Sequence, residues 1–324
     1  MRIIFMGTPA YAAEVLDALA RKEDVTVSAV VTRPDKPKGR GMKLVPCPVK
    51  ELALSLGIPV YQPKTLRDGA FQAVLDEYEP ELIVVAAYGN ILPSYVLDYP
   101  KYGCVNAHGS LLPKYRGASP IQRAIMDGES VTGITAMMMD EGIDTGDILG
   151  TYPCAIEEDD DCGTLTGKLA KIAAAAMCGV IDMIREGTLT PTPQPEEGAC
   201  YAAKIGREDA ALDFDAPARS VFNRIRALNP SPCAVVKLPN GDPLKITASK
   251  AASAEECEKA LGQFPGTVVL AEGRGEGRIV VACREGAVAL TGVIPAGRKP
   301  MSAGDFVRGR KIAAGDILTV MKEE

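Results

Sequence analysis

Residues 106–108, Asn-Ala-His, end a β-rich apolar run and place an amide and an imidazole two positions apart. Successive side chains of a strand point to opposite faces, so Asn106 and His108 share a face if the strand continues through them. Together the two groups can hold a carbonyl oxygen as it becomes an oxyanion, and an imidazole can also move a proton near neutral pH. A histidine that caps a strand end with one nitrogen satisfied is the alternative. Downstream, an acidic, glycine-punctuated segment reads Asp-Glu-Gly-Ile-Asp-Thr-Gly-Asp from Asp140 to Asp147. If the strands carrying these two segments are neighbours, Asp144 can approach His108, where a carboxylate orients the ring and supports its positive charge.

Other chemistries fit less well. His108 is the single histidine of the chain, which excludes an HExxH zinc site and any other two-imidazole centre. An EF-hand loop wants Asp or Asn at its third position and Gly at its sixth, where this segment has Gly142 and Thr145. No metal is expected. Nine cysteines without a CxxC pair read as reduced, mostly buried thiols of a cytoplasmic protein, and Cys104 reads as a strand-packing residue.

The elements that would carry these residues follow from periodicity. Arg2–Met6, Thr26–Val31, Leu82–Ala87, Gly103–Ala107 and Thr132–Met139 are short β-rich runs, alternating with stretches whose apolar residues recur every three or four positions. That alternation predicts an α/β domain with a mostly parallel sheet covered on both faces. Ligands of such sheets sit at the carboxyl ends of strands, here just after Ala87, Ala107 and Met139. One long helix is predicted over Gly163–Glu186. Three prolines and two glutamates in Thr188–Gly198 mark a linker. Beyond it a helix at Ala216–Leu228 precedes five short β-runs, with Asn240-Gly241 as a hairpin turn at which both residues tolerate positive φ. Short strands with glycine-rich turns predict a small barrel. The boundaries are 1–189, a linker at 190–207, and 208–324.

The length of 324 residues suits two domains, and 47% hydrophobic with 24% charged residues is an ordinary globular balance. Ala10-Tyr11-Ala12 imitates a signal-peptidase site, but Gly7-Thr8-Pro9 breaks the apolar run before it. The longest uncharged stretch, Leu82–Leu97, contains Asn90, Pro93 and Ser94 and falls short of the roughly 18 apolar residues that span a bilayer. A net charge of −6 conceals its layout. The acidic excess lies in residues 1–207, much of it in Glu157–Asp161, while 208–324 is close to neutral. Two basic clusters, 33–43 and 298–311, are either solvated faces or contacts for an anionic partner.

Asn-x-His followed by Ser-Leu-Leu-Pro-Lys-Tyr-Arg-Gly-Ala-Ser-Pro, and then Asp-x-Gly-x-Asp-Thr-Gly-Asp, resembles the signature of folate-dependent formyltransferases. The likeness also takes in Ile-Ile-Phe-Met-Gly-Thr-Pro near the start, Arg33-Pro34-Asp35-Lys36-Pro37, Val84–Gly89 and Ile91-Leu92-Pro93. It continues loosely into Ala202–Ile205 and Ile225–Pro230, and is greatest for the branch that formylates methionine carried by initiator tRNA. The resemblance implies a Rossmann-like formyltransferase domain followed by an OB-like β-barrel domain that contacts tRNA. It implies 10-formyltetrahydrofolate as donor and methionyl initiator tRNA as acceptor, with neither a metal nor a covalent enzyme intermediate. Asn106 and His108 would stabilise the oxyanion, with Asp144 supporting His108 and the proton relay. Ser110, Leu111, Leu112 and Pro113 would contact the folate, and Tyr88, Gly89, Ile91 and Leu92 would line its pterin pocket. Lys38, Arg40 and Lys43, on a loop rich in glycine and proline, would contact the acceptor stem. The chain departs from the family in having Gly109 where proline or alanine is usual, and Phe214 and Ser231 near positions where tryptophan is common. A formyltransferase for a small amine, glycinamide ribonucleotide or an amino sugar, shares the same three residues and is the rival; the second domain and the 33–43 loop favour tRNA.

Overall fold

A computed structural model describes residues 1–38, 43–275, 277–309 and 311–321. It contains two compact units: Met1–Pro120, Val131–Ala155 and Thr166–Ala203 form the first, and Ile121–Ser130, Ile156–Leu165 and Lys204–Glu324 the second.

The first part of the chain runs β1 (Arg2–Gly7), α1 (Ala10–Ala20), β2 (Thr26–Val31), β3 (Lys36–Lys38), β4 (Lys43–Val45), α2 (Pro48–Ser55), β5 (Val60–Tyr61), α3 (Gln72–Tyr78), β6 (Leu82–Ala86), α4 (Ser94–Leu97) and β7 (Cys104–His108). It continues through β8 (Arg116–Gly117), α5 (Pro120–Met126), β9 (Val131–Met138), β10 (Ile148–Ala155), α6 (Cys162–Glu186) and β11 (Tyr201–Ala202). The main sheet has the order β10-β9-β7-β6-β1-β2-β5. From β7 to β5 every pairing is parallel, as continuous apolar strands buried on both faces require. β6, Leu-Ile-Val-Val-Ala, is buried along its whole length. Alternate residues Ile4, Met6, Ala29, Val31, Ile83, Val85 and Cys104 pack on one face with Leu75, Tyr88, Leu92 and Val96. In α6, Leu169, Ala173, Met177, Val180 and Ile184 recur at helical spacing and are buried.

β9 departs from the parallel expectation. It pairs with β7 antiparallel, with His108 opposite Thr135 and Val105 opposite Met138. The residues after Met139 therefore leave the sheet at the amino end of β7, where Met139 N–H bonds to the Cys104 carbonyl, and not at the carboxyl ends of the strands. β10, which the sequence pattern does not announce, pairs antiparallel with β9 and closes the edge. Its side chains alternate in exposure, and Gly150 and Pro153 obscure it as a strand.

The second unit contains α7 (Arg207–Ala210), α8 (Ala218–Leu228), β12 (Ala234–Lys237), β13 (Pro243–Ala251), α9 (Ala254–Ala260), β14 (Val268–Glu272), β15 (Arg278–Ala282), β16 (Ala287–Pro295), β17 (Met301–Ser302), α10 (Ala303–Arg308) and β18 (Thr319–Val320). Its antiparallel sheet has the order β14-β15-β16-β13-β12-β18, with β17 beside β16. Leu318 N–H bonds to Gly266 O and Val268 N–H to Asp316 O, so the residues entering β18 meet those entering β14 and the sheet curls closed. Closure removes the unpaired edges that an open sheet would offer for association. The interior holds Phe214, Val221, Ile225, Leu244, Ile246, Val281, Leu290 and Phe306. The turn between β12 and β13 spans Leu238–Asp242 and is longer than a two-residue hairpin; only Gly241 takes positive φ there, at 90°.

Candidate functional site

β7 delivers the two leading residues. Tyr11 donates from its buried hydroxyl to the Ala107 carbonyl at 3.1 Å, pinning the strand end to α1. His108 is 5% exposed. Its Nε2 lies 2.9 Å from the Tyr115 carbonyl, which can only accept, so that nitrogen carries a proton. Nδ1 faces Asp144 Oδ2 at 3.4 Å, long for a hydrogen bond but within ion-pair range. Asn106, half-buried and two residues earlier on the same face, has a side-chain amide without a hydrogen-bond partner among the described residues. Cys104 is fully buried, and burial pushes its thiol up to about 12, so it stays a neutral packing group at physiological pH.

Asp144 sits in a flap formed by residues 139–147. Met138 N–H bonds to Asp147 O and closes its base. Asp140 accepts from the Gly142 N–H and the Thr145 hydroxyl, so the first acid of the motif folds the flap. A Cβ on Gly146 would lie 2.1 Å from the Met138 carbonyl oxygen, which accounts for that glycine. Asp144 itself adopts φ 55°, and its Oδ2 accepts from Gly117 N–H at 2.8 Å. Glu141 receives a hydrogen bond from Ser94 at 2.6 Å.

The residues at β8 thus touch both His108 and Asp144. The carbonyl of Tyr115, just before it, holds His108, and the N–H of Gly117 holds Asp144. β8 is paired in parallel with β11, with Arg116 N–H bonded to Cys200 O and Ala118 N–H to Ala202 O. The 190–207 segment is therefore built against the first unit up to Ala203. Tyr115, Gly117 and Gln194 contact His108 or Asp144, and Arg116 bonds Gln194; sequence reasoning selected none of the four. Tyr115, Arg116 and Gly117 stood within the quoted motif, whereas Gln194 is one amide among prolines and gave no signal.

The other expected residues are placed unevenly. The Ser110 hydroxyl is buried and donates to Lys114 O, and the Leu112 N–H donates to the Thr135 hydroxyl, so both hold the turn after β7. Leu111 and Pro113 are half-buried. Tyr88 and Leu92 are buried, Ile91 is 59% exposed, and exposed Gly89 takes φ 77° with its carbonyl bonded to Arg33. Among the described residues the buried Tyr88 hydroxyl has no hydrogen bond of ordinary geometry, though Asn90 and Arg33 lie near it. A cavity of about 290 Å³ at the carboxyl ends of β1, β2 and β6 is lined by Thr8, Arg33, Lys36, Tyr88 and Gly89. A larger one of about 820 Å³ lies beside the base of the flap, between Ser94, Leu97, Gly103, Met139 and Glu141. Lys38 and Lys43 are cross-strand neighbours in the β3–β4 pair, and Arg40 lies outside the described residues. Among the described residues no group of three or more His, Cys, Asp or Glu could hold a metal ion, and no helix is long and apolar enough to cross a membrane.

A mostly parallel sheet whose β7 carries an amide and an imidazole, met by a carboxylate from the 139–147 flap and followed by a curled antiparallel sheet, defines a class that comparison with known proteins supports. Residues 1–181 match the formyl transferase family and residues 204–311 the formyl transferase C-terminal domain, and the chain belongs to this family. Methionyl-tRNA formyltransferase of Bacillus licheniformis is 45% identical over 314 residues, 97% of this chain and 96% of the relative. That of Bacillus subtilis is 45% identical over 324 residues, 100% and 99% of the two chains. Among solved structures, HypX from Aquifex aeolicus in complex with tetrahydrofolic acid superposes with a TM-score of 0.65 at 18% identity; this chain is covered completely but spans about half, 52%, of HypX. An N-formyltransferase from Helicobacter canadensis in complex with folinic acid and dTDP-3-aminofucose gives 0.62 at 20% identity, covering 89% of this chain and 98% of that one.

Proposed function

We propose that the protein transfers the formyl group of 10-formyltetrahydrofolate to the α-amino group of methionine esterified to initiator tRNA, giving N-formylmethionyl-tRNA for translation initiation. The observation that carries the chemistry is the approach of Asp144 to Nδ1 of His108, on the strand that also carries Asn106 two residues earlier on the same face. Full-length likeness to proteins named for this reaction supports the choice of substrates.

In this reading the free amine attacks the formyl carbon, a C–N bond forms, and the formyl oxygen becomes an oxyanion. Asn106 donates a hydrogen bond to it, a contribution on the order of 3 kcal/mol in other enzymes, and His108 does so through Nδ1–H, since the Tyr115 carbonyl engages Nε2–H. Because Nε2 is held by the Tyr115 carbonyl, Nδ1 is the nitrogen that exchanges a proton, with Asp144 beside it. Collapse breaks the bond to N10 of the folate, and the proton lost by the amine ends on that nitrogen. Ser110–Pro113 and Tyr88, Gly89, Ile91 and Leu92 are assigned to the folate, and Lys38, Arg40 and Lys43 to the tRNA acceptor stem. Residues 1–189 form the catalytic domain and 208–324 the tRNA-binding domain, joined through 190–207. Nine free thiols and an RNA substrate suit the cytoplasm.

The test offers methionyl initiator tRNA and glycinamide ribonucleotide side by side with 10-formyltetrahydrofolate. Formyl transfer to the tRNA alone is expected; preferential transfer to the small amine rejects the assignment.

A further inference from the structure

Residues 190–200 run largely exposed along the first unit, with prolines at 191, 193 and 195, yet Gln194 is drawn inward. Its amide nitrogen donates to two carbonyl oxygens of the flap, Asp144 O at 2.9 Å and Gly146 O at 2.7 Å. Its Oε1 accepts from Nε of Arg116 at 3.1 Å. Arg116, only 2% exposed, stands between the carbonyl that holds His108 and the N–H that holds Asp144. All hydrogen-bonding protons of the Gln194 amide are thereby used on the backbone of the residue that faces the imidazole and of its near neighbour.

We propose that Gln194, braced by Arg116, is a positioning residue that holds the Asp144 carboxylate against His108. The inference rests on the catalytic reading above and adds to it a residue contributed by the segment after α6. Asp144 occupies left-handed backbone that a non-glycine residue adopts only when its surroundings hold it there. Gly117 N–H fixes the carboxylate and Gln194 fixes the carbonyl of the same residue, so the side chain cannot swing without breaking one of the two. A primary amide is the side chain suited to this place: two donors for two carbonyls and one acceptor for a guanidinium. Glutamate has the same shape and keeps the acceptor, but it has no donors when ionised and would set a carboxylate oxygen against two carbonyl oxygens.

Gln194→Glu is therefore the discriminating variant, with Gln194→Ala as the second, which removes the amide without adding charge. Because a misplacement of about 1 Å costs roughly 100-fold, kcat is expected to fall between about 10- and 100-fold, with KM for both substrates within about twofold. The single histidine supplies a readout independent of turnover. The imidazole NMR signals of both variants should move toward those of Asp144→Asn, because in each case the carboxylate has left Nδ1. Unchanged kcat, or imidazole signals that stay at their wild-type positions in both variants, overturns the proposal. Absence of formyl transfer by the wild-type protein overturns the functional reading instead, while the imidazole signals still judge the positioning claim.

Discussion

Replacing Asp144 by asparagine removes one charge and almost no volume, and the contacts of the side chain make its effect calculable. Oδ2 accepts from Gly117 N–H at 2.8 Å and lies 3.4 Å from His108 Nδ1. An asparagine can keep the first contact through its carbonyl oxygen, so the flap has no reason to leave. That same oxygen then faces Nδ1 without a charge, so the positive charge the ring takes up during the reaction loses its partner. At an effective dielectric constant of about 20, unit charges at this separation attract by about 5 kcal/mol. An ordinary hydrogen bond to a charged group contributes about 2 kcal/mol. These bounds predict that the variant transfers formyl groups between roughly 30- and roughly 5,000-fold more slowly. The assay is single-turnover formylation of charged tRNA at saturating donor, with thermal unfolding as the control for folding. Turnover above a third of wild type in a normally folded variant would falsify the role given to Asp144.

Three other outcomes are open to measurement. Arg40→Ala is expected to raise KM for charged tRNA, with a shallower salt dependence by about one unit of slope, while KM for the folate donor stays unchanged; equal effects on both substrates reject the loop assignment. Gly146→Ala drives a Cβ to 2.1 Å from the Met138 carbonyl oxygen, so stability should fall by roughly 1–3 kcal/mol and turnover at least tenfold, and a wild-type melting curve with wild-type turnover contradicts this. Arg226 is buried and donates to the carbonyls of Glu157 and Asp160 and to the Asn223 side chain, so Arg226→Ala should cost about 2–4 kcal/mol in urea unfolding; a loss under 1 kcal/mol would mean those carbonyls find other partners.

How much of this was legible in the sequence depended on burial. β1, β2, β6 and β7 are continuous apolar strands, and the patterns place them within about a residue of their observed limits. The long helix was expected at Gly163–Glu186 and begins one residue earlier. β10 escaped because an edge strand alternates buried and exposed residues and here carries glycine and proline. β8 and β11, two residues each, carry no periodicity at all. The direction of β9 was equally hidden, since a run of apolar residues has the same pattern whichever way it is threaded. Asn106, His108 and Asp144 could be singled out by chemical type, but the contacts around them could not. Tyr115 and Gly117 act there through backbone atoms, which every residue possesses, and Gln194 through one side chain in an otherwise exposed segment.

The reversal of β9 decides how the site is assembled. Had β9 run parallel to β7, Asp144 would have emerged on a short loop beside His108. Instead the chain leaves β9 opposite Val105, three residues or roughly 10 Å along β7 from His108. It must return to Asp147 at the base of the flap. The flap is held by the Asp140–Thr145 turn within it and, from outside, by the Ser94 hydroxyl on Glu141, the Gly117 N–H and the Gln194 amide. It follows that the carboxylate depends on segments far apart in the chain, 115–117 and 194, and that loosening either moves Asp144 before it disturbs the buried strands that carry Asn106 and His108.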